Sequence, residues 1–337
     1  MNHPESTGVG YYALNRVDGI RMSTALTYLQ MARHRLNLTI RADVLARRVL
    51  FDGVRSVGVE VESGGEVFAI DADEVVLSGG AINSPQLLML SGVGQREHLA
   101  EVGVPLTLHL PGVGQNLRDH PAVFMLYESA EPIPPGSPAL QIGMRYTTPG
   151  SEFRNDMQMR PLHVRTEHMP INFDLTSDIT PTGFSIALQK ALSSGELRLN
   201  SSDPHQQPYL NYRYLTHPFD GERLRGAIRL CAELAESSAF ADVGIARISP
   251  NDDDLKSDDA LDRWLLDNVL TQHHSSGTCK MGPASDEMAV VDQYGRVHGI
   301  DGLRVVDASI MPDVIRANTN VTTIMIAERI SDWMGQS

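Results

Sequence analysis

The sequence predicts a mixed α/β (α+β) fold, and three observations lead there. Short apolar runs at 49–51, 57–61, 67–70 and 74–77 are separated by turn residues and form a strand-rich block. The last run passes through Ser78-Gly79-Gly80-Ala81 into an apolar helical stretch, the strand–glycine turn–helix order of an α/β domain that brings a helix N-terminus to a ligand. Further along, strand-like runs at 184–188 and 197–199 enclose a Ser193-Ser194-Gly195-Glu196 turn and imply an antiparallel sheet, with amphipathic helices after it.

The elements follow in chain order. Met22, Ala25, Leu26, Leu29 and Ala32 fall on one face and predict a helix over 21–34. A strand is expected at 38–40. Asp52-Gly53 turns the chain between the strands at 49–51 and 57–61, in a loop longer than two residues, and Gly64-Gly65 makes the next turn. Ser84 is the expected N-cap of a helix with Pro85 at its first position, stopped by Gly92 and Gly94. Residues 131–151, rich in Pro, Gly and Ser, read as a loop near a domain boundary. Leu224, Ile228, Cys231, Leu234 and Ala235 share a face of a helix over 220–235, and Ser257 with Asp258 and Asp259 opens another. A strand at 304–306 leads to a closing helix around 324–329.

Composition limits the function. With 337 residues the chain fills one large domain or two ordinary ones. Its formal net charge of −14 repels phosphate backbones and anionic membrane surfaces, which argues against nucleic acid as a partner. Cys231 and Cys279 have neither metal-ligand spacing nor the numbers for a disulfide framework, so no metal is expected and both are read as reduced thiols. The polar first eight residues are no secretory signal, and no apolar run spans a bilayer. A cytoplasmic protein without an integral membrane segment is expected.

Two segments carry chemistry-bearing residues. Gln272-His273-His274-Ser275-Ser276-Gly277-Thr278 sets a histidine pair on polar ground, where imidazole can move protons near neutral pH or merely cap loop backbone. Ala317-Asn318-Thr319-Asn320-Val321-Thr322 opens a helix, where it can cap or offer free N–H groups to an electron-rich ligand. Gly92-Val93-Gly94 and Gly112-Val113-Gly114 lack the third glycine and the first-strand setting of a dinucleotide fingerprint.

Taken together, the segments resemble the glucose–methanol–choline (GMC) oxidoreductase family of FAD enzymes. Residues 80–94 resemble its second signature, 112–120 the loop that follows, 194–215 the start of its C-terminal domain, His274 through Met281 the histidine motif H-x-x-G-T-x-x-M, and Asp307 to Glu328 the closing flavin motif. The resemblance implies an incomplete FAD-binding domain over 1–125, a mainly substrate-binding domain over 126–290 with an antiparallel sheet flanked by helices, and a segment 291–337 returning to the FAD-binding domain. It implies hydride transfer from a small-molecule alcohol to FAD, choline-dehydrogenase-like, with oxygen, a quinone or another carrier accepting the electrons. His274 matches the proton-accepting position and Asn320 the substrate-oxygen ligand; Asp307, Ala308, Val321 and Thr322 match flavin contacts made more through backbone than side chain. By the same resemblance His273 lines the substrate pocket and His120 is structural. The GxGxxG opening of the family is absent, and residues 5–10 resemble an internal family segment, so the chain is expected to be N-terminally truncated. Two alternatives stay open: an FAD-containing hydroxynitrile lyase-like enzyme, and an inactive fragment that needs a separate FAD-binding chain.

Overall fold

The computed structural model describes residues 3, 5–129, 141–163, 181–241 and 245–336. Residues 131–140 of the expected loop lie outside these; within its remainder the chain forms a strand, Ile142–Tyr146, because alternate residues there bury against neighbouring strands.

Two hydrophobic cores organise the chain. The first gathers Val75, Leu77, Leu88, Met89, Val93, Leu99, Val113, Leu197, Val291, Leu303, Val305 and Ile330. Within it a three-stranded meander, Leu45–Asp52, Arg55–Ser63 and Glu66–Asp71, packs beside a parallel pair, Val75–Leu77 with Leu303–Val305. The strands at Asp52 and Arg55 run longer than their apolar centres, so the Gly53-Val54 loop has two residues, shorter than expected. Both glycines of the next turn take positive φ, Gly64 at 59° and Gly65 at 85°, as a tight hairpin with the twist of its strands requires.

The second core lies under a seven-stranded sheet. Its strands are ordered Gly8–Tyr11, Ile142–Tyr146, Met157–His163, Pro181–Leu188, Pro121–Ser129 and Ile245–Ser249, with Leu270–Thr271 also paired to Pro121–Ser129. Every pairing is antiparallel. Helices Pro218–Ala235 and Asp258–Asn268 cover one face, on which Met125, Tyr127, Met157, Met159, Phe184, Ile186 and Leu188 meet Leu224, Ile228, Cys231, Leu261 and Leu265. Ser257 caps the second helix by accepting from the Ala260 N–H at 3.2 Å.

Four expectations are corrected. The 21–34 stripe finds no core: none of its residues is buried, and the chain there forms a small hairpin, Arg16–Val17 with Ile20–Arg21, then a π-helical turn Ala25–Leu29 and a short α-helix Gln30–Ala32. Residues 38–40 are exposed and form no strand, having no partner to pair with. In the helix over 220–235, Leu234 faces solvent at 36% exposure instead of sharing the buried face. The helix after the glycine turn starts at Gly80, so Pro85 is interior and Ser84 is not its cap.

An interior proline removes the N–H that would bond the carbonyl four residues back. Here that carbonyl belongs to Ala81, and the buried Thr278 hydroxyl donates to it at 2.6 Å. Ser84 instead links the glycine turn to the tail: its Oγ accepts from the Gly79 N–H at 3.0 Å and donates to Asp307 Oδ2 at 2.6 Å.

Candidate active site

His274 stands where three segments converge. Its own segment runs beside the 308–310 turn through Gly277 N–H to Ala308 O, Cys279 N–H to Ser309 O and Met281 N–H to Ile310 O, at 3.2, 2.9 and 2.9 Å. On the other side Arg118 and Ser276 exchange backbone bonds of 2.9 Å each way. Gly277 is squeezed between these neighbours with φ +85°, and a Cβ there would meet Asn116 O at 2.6 Å. No other residue type fits that position.

Local backbone turns the two histidines apart. His273 takes φ +62° and stays exposed, with its N–H on Thr271 Oγ1 at 2.8 Å. His274 is thereby turned inward and is half-buried. Its backbone N–H donates to Asp119 Oδ1 at 3.0 Å, an oxygen that also accepts from the His120 N–H at 2.7 Å. Tyr214 donates to the other carboxylate oxygen at 2.6 Å, and its hydroxyl is pushed up by burial and then by the Asp119 charge. One buried carboxylate thus fixes both histidine backbones and a tyrosine.

The ring contacts decide the tautomer of His274. His120 Nε2 lies 2.7 Å from the Ile315 carbonyl, and a carbonyl only accepts, so Nε2 carries a hydrogen. His120 is fully buried, and burial first, then the His274 charge, pull its pKa down to about 3, so the ring is neutral and its Nδ1 is bare. His274 Nδ1 is 2.9 Å from that bare nitrogen and must be the donor. The proton of neutral His274 is therefore on Nδ1, and its Nε2 holds a lone pair. Burial, the largest effect, and the charges of Arg160 and His273 lower the His274 pKa, while Asp119 raises it. The ring is kept as a free base near neutral pH.

The group facing that lone pair is the amide of Asn318, whose Nδ2 lies 2.9 Å from His274 Nε2. Asn320, the residue expected beside His274, is exposed in the first turn of the helix Thr319–Met334. The pair brought together is His274 with Asn318, the residue at the helix N-cap. Asn318 makes no capping bond from its side chain, so that amide is left to the histidine.

The remaining expected positions lie on the turn at 307–310 and in the first turn of the closing helix. Asp307 turns its carboxylate inward, accepting from Gly80 N–H, Ser84 Oγ and Ser309 N–H at 2.9, 2.6 and 2.7 Å. Only its backbone is left for a ligand. Ala308 and Thr322 are half-buried, and Val321 is 73% exposed at the uncapped start of its helix. His120, expected to be structural, is in contact with His274 itself. The only sequence signal for that role is its place in Asp119-His120, two residues that both turn out to face the histidine block. A cavity of about 460 Å³ lies elsewhere, lined by Ser78, Gly79, Asn83 and the strand Val75–Leu77, and it includes neither His274 nor Asn318. Among the described residues no cluster of His, Cys, Asp and Glu could hold a metal ion, and no helix is long and apolar enough to cross a membrane.

The chain is 40% identical over 341 residues to the oxygen-dependent choline dehydrogenase of Escherichia coli K12, in an alignment covering 94% of this chain and 61% of that protein. It thus spans about three fifths of the length of that relative. Its fold is similar to the crystal structure of pyridoxine 4-oxidase from Mesorbium loti, with TM-score 0.89, 27% identity, 98% of this chain and 65% of that one. The formate oxidase of Aspergillus oryzae RIB40 shares the fold at TM-score 0.86 and 24% identity, over 97% of this chain and 65% of that one. The GMC oxidoreductase family models match residues 1–122 for the N-terminal part and 191–327 for the C-terminal part. The chain belongs to the GMC oxidoreductase family.

Proposed function

We propose that the chain carries the catalytic residues of an FAD-dependent oxidoreductase acting on the CH–OH group of a small-molecule alcohol. The observation that carries this reading is His274 Nε2 facing the Asn318 amide at 2.9 Å while its Nδ1 lies 2.9 Å from His120 Nδ1, contacts that together assign the proton to the far nitrogen. His274 takes the hydroxyl proton at Nε2. Asn318 holds the substrate oxygen through its amide N–H without competing for the proton. Asp119 keeps the histidine backbone in place while its ring changes charge.

The residues present fit the cofactor. The helix Thr319–Met334 has no side-chain cap, so its first N–H groups are free for an electron-rich ring edge. Val321 and Thr322 stand at that end, and Ala308 offers backbone with only a methyl group. FAD, when bound, supplies the acceptor for the substrate's hydride. Oxygen, a quinone or another carrier then takes the electrons. The division into 1–125, 126–290 and 291–337 is proposed with this reading. Two free, buried cysteines in an acidic chain support a reducing, cytoplasmic setting.

The test is dye reduction by a panel of primary alcohols with the FAD-loaded protein. His274→Ala should lower turnover by about 10²- to 10⁴-fold, the usual contribution of a general base, while the flavin absorbance of the purified protein is unchanged. Undiminished turnover in that variant removes His274 from the chemistry.

A further inference from the structure

We propose that the alcohol taken by this site carries an anionic oxygen group, received by Arg160 and Tyr12 on the polar face of the seven-stranded sheet. The inference rests on the oxidoreductase reading for the word alcohol, and on the sheet geometry for the word anionic.

The strand register separates two faces. Opposed residues of antiparallel strands point the same way, and neighbours along a strand point oppositely. Met157, Met159, Phe184, Ile186 and Leu188 point to the helices. The pairs Arg160 with Ser185, Gln158 with Ala187, and Arg145 with Gln158 therefore share the other face. Ser185 accepts from Gln272 Nε2 at 3.4 Å, two residues before His274, which sets this face over the histidine block.

The sheet neighbours of Arg160 offer it no partner. Its Nε is sealed from solvent without an acceptor, and among the described residues no carboxylate pairs with the guanidinium. Its charge lowers the pKa of His274 and acts on Tyr12, which puts it within electrostatic reach of both. The Tyr12 hydroxyl is also sealed and without a partner. It lies over Gly143, where a Cβ would come within 2.4 Å of that oxygen. Two buried donors, one of them cationic, thus lack an acceptor on one face. Arg145, on the same face, donates to the Arg316 carbonyl at 3.2 Å and adds to the positive potential. In a chain of net charge −14 this local sign is not inherited from the whole. A carboxylate or phosphate oxygen is acceptor-only and matches the arginine fork. A cationic alcohol would meet like charge.

The test measures binding and turnover separately. The probes are 3-hydroxypropanoate, its isosteric neutral amide, 2-hydroxyethyl phosphate and choline. Calorimetry on the FAD-loaded wild type should show either anion binding at least about tenfold more tightly than the amide, and choline more weakly than the amide. Arg160→Gln should weaken anion binding by about ten- to a hundredfold and leave the amide unchanged. Arg160→Lys should retain part of the anion affinity, and Tyr12→Phe should lose a few-fold on anions alone. The carboxylate and phosphate arms identify which oxyanion fits better. Amide or choline binding as tightly as both anions in the wild type overturns the proposal, as does anion binding that survives Arg160→Gln. Should Arg160→Gln fail to fold by circular dichroism, the wild-type ranking and Arg160→Lys decide. Anion binding through Arg160 with no dye reduction by any alcohol would refute the oxidation reading and leave the anion site standing.

Discussion

Replacing Thr278 by valine removes one hydroxyl and keeps the side-chain shape. That hydroxyl is the donor to the Ala81 carbonyl, which has no helical partner because Pro85 lacks an N–H. Thr278 is fully buried and Ala81 is 6% exposed, so water does not replace the lost bond. An acceptor left unsatisfied in the interior costs about 1–3 kcal/mol. With an unfolding entropy of about 2.1 cal/mol/K per residue, that corresponds to a melting-temperature drop of about 1–4 °C for a chain of this size. The measurement is urea unfolding of four proteins: wild type, Thr278→Val, Pro85→Ala and the double variant. Pro85→Ala returns an N–H to the helix and gives the Ala81 carbonyl its ordinary partner. In that background Thr278→Val should cost less than about 0.5 kcal/mol, so that the two changes are coupled by most of the single-variant penalty. An equal cost of Thr278→Val in both backgrounds would refute the argument, because the threonine would then be serving something other than the proline gap.

Two further outcomes are expected. Asn318→Ala should lower kcat/KM by at least about tenfold through loss of a hydrogen bond at the reacting oxygen, whereas Asn320→Ala should change it by less than about threefold; the reverse order by steady-state kinetics would return the role to Asn320. Stability should fall on mild acidification because of His120, whose pKa drops from 6.5 to about 3 on burial. Below 6.5 the unfolded chain binds a proton that the folded one refuses, so stability rises with pH and is lost as pH falls from 6.5 towards 3. Between pH 7.5 and 5.0 this residue alone should remove up to about 2 kcal/mol, 1.36 kcal/mol for each unit below 6.5. Urea melts of His120→Gln should lack that share of the loss, and an equal loss in the variant would show that the proton goes elsewhere.

Much of the architecture was readable in the residue pattern. The alternation around Val57–Val61, the glycine pair at Gly64-Gly65 and the cap at Ser257 each encode their own geometry within a few residues, and the structure has them there. The residue pattern says less where the deciding partner is distant in sequence. Pro85 after a serine suits a helix start, and only the presence of Thr278 across the core makes an interior position affordable. Residues 38–40 have strand propensity but no neighbouring strand. Asn318 and Asn320 flank one threonine, and which of them meets His274 depends on where the helix begins, a matter of one or two residues that composition does not reveal. His120 carries little local signal beyond its place after Asp119, and Arg160 carries none. The first gains its meaning from a bond to a histidine 154 residues away, the second from the register of its strand.

The division of the seven-stranded sheet into an apolar and a polar face has an evolutionary consequence. Folding stability is written in one set of positions, such as Met157, Met159, Phe184 and Ile186. The interleaved set, including Gln158, Arg160, Ser185 and Ala187, faces the other way. A lineage could therefore exchange one substrate for another by altering every second residue of two strands, leaving the apolar alphabet between them untouched. Acquired preference and retained foldability can be inherited on the same stretch of chain with little interference.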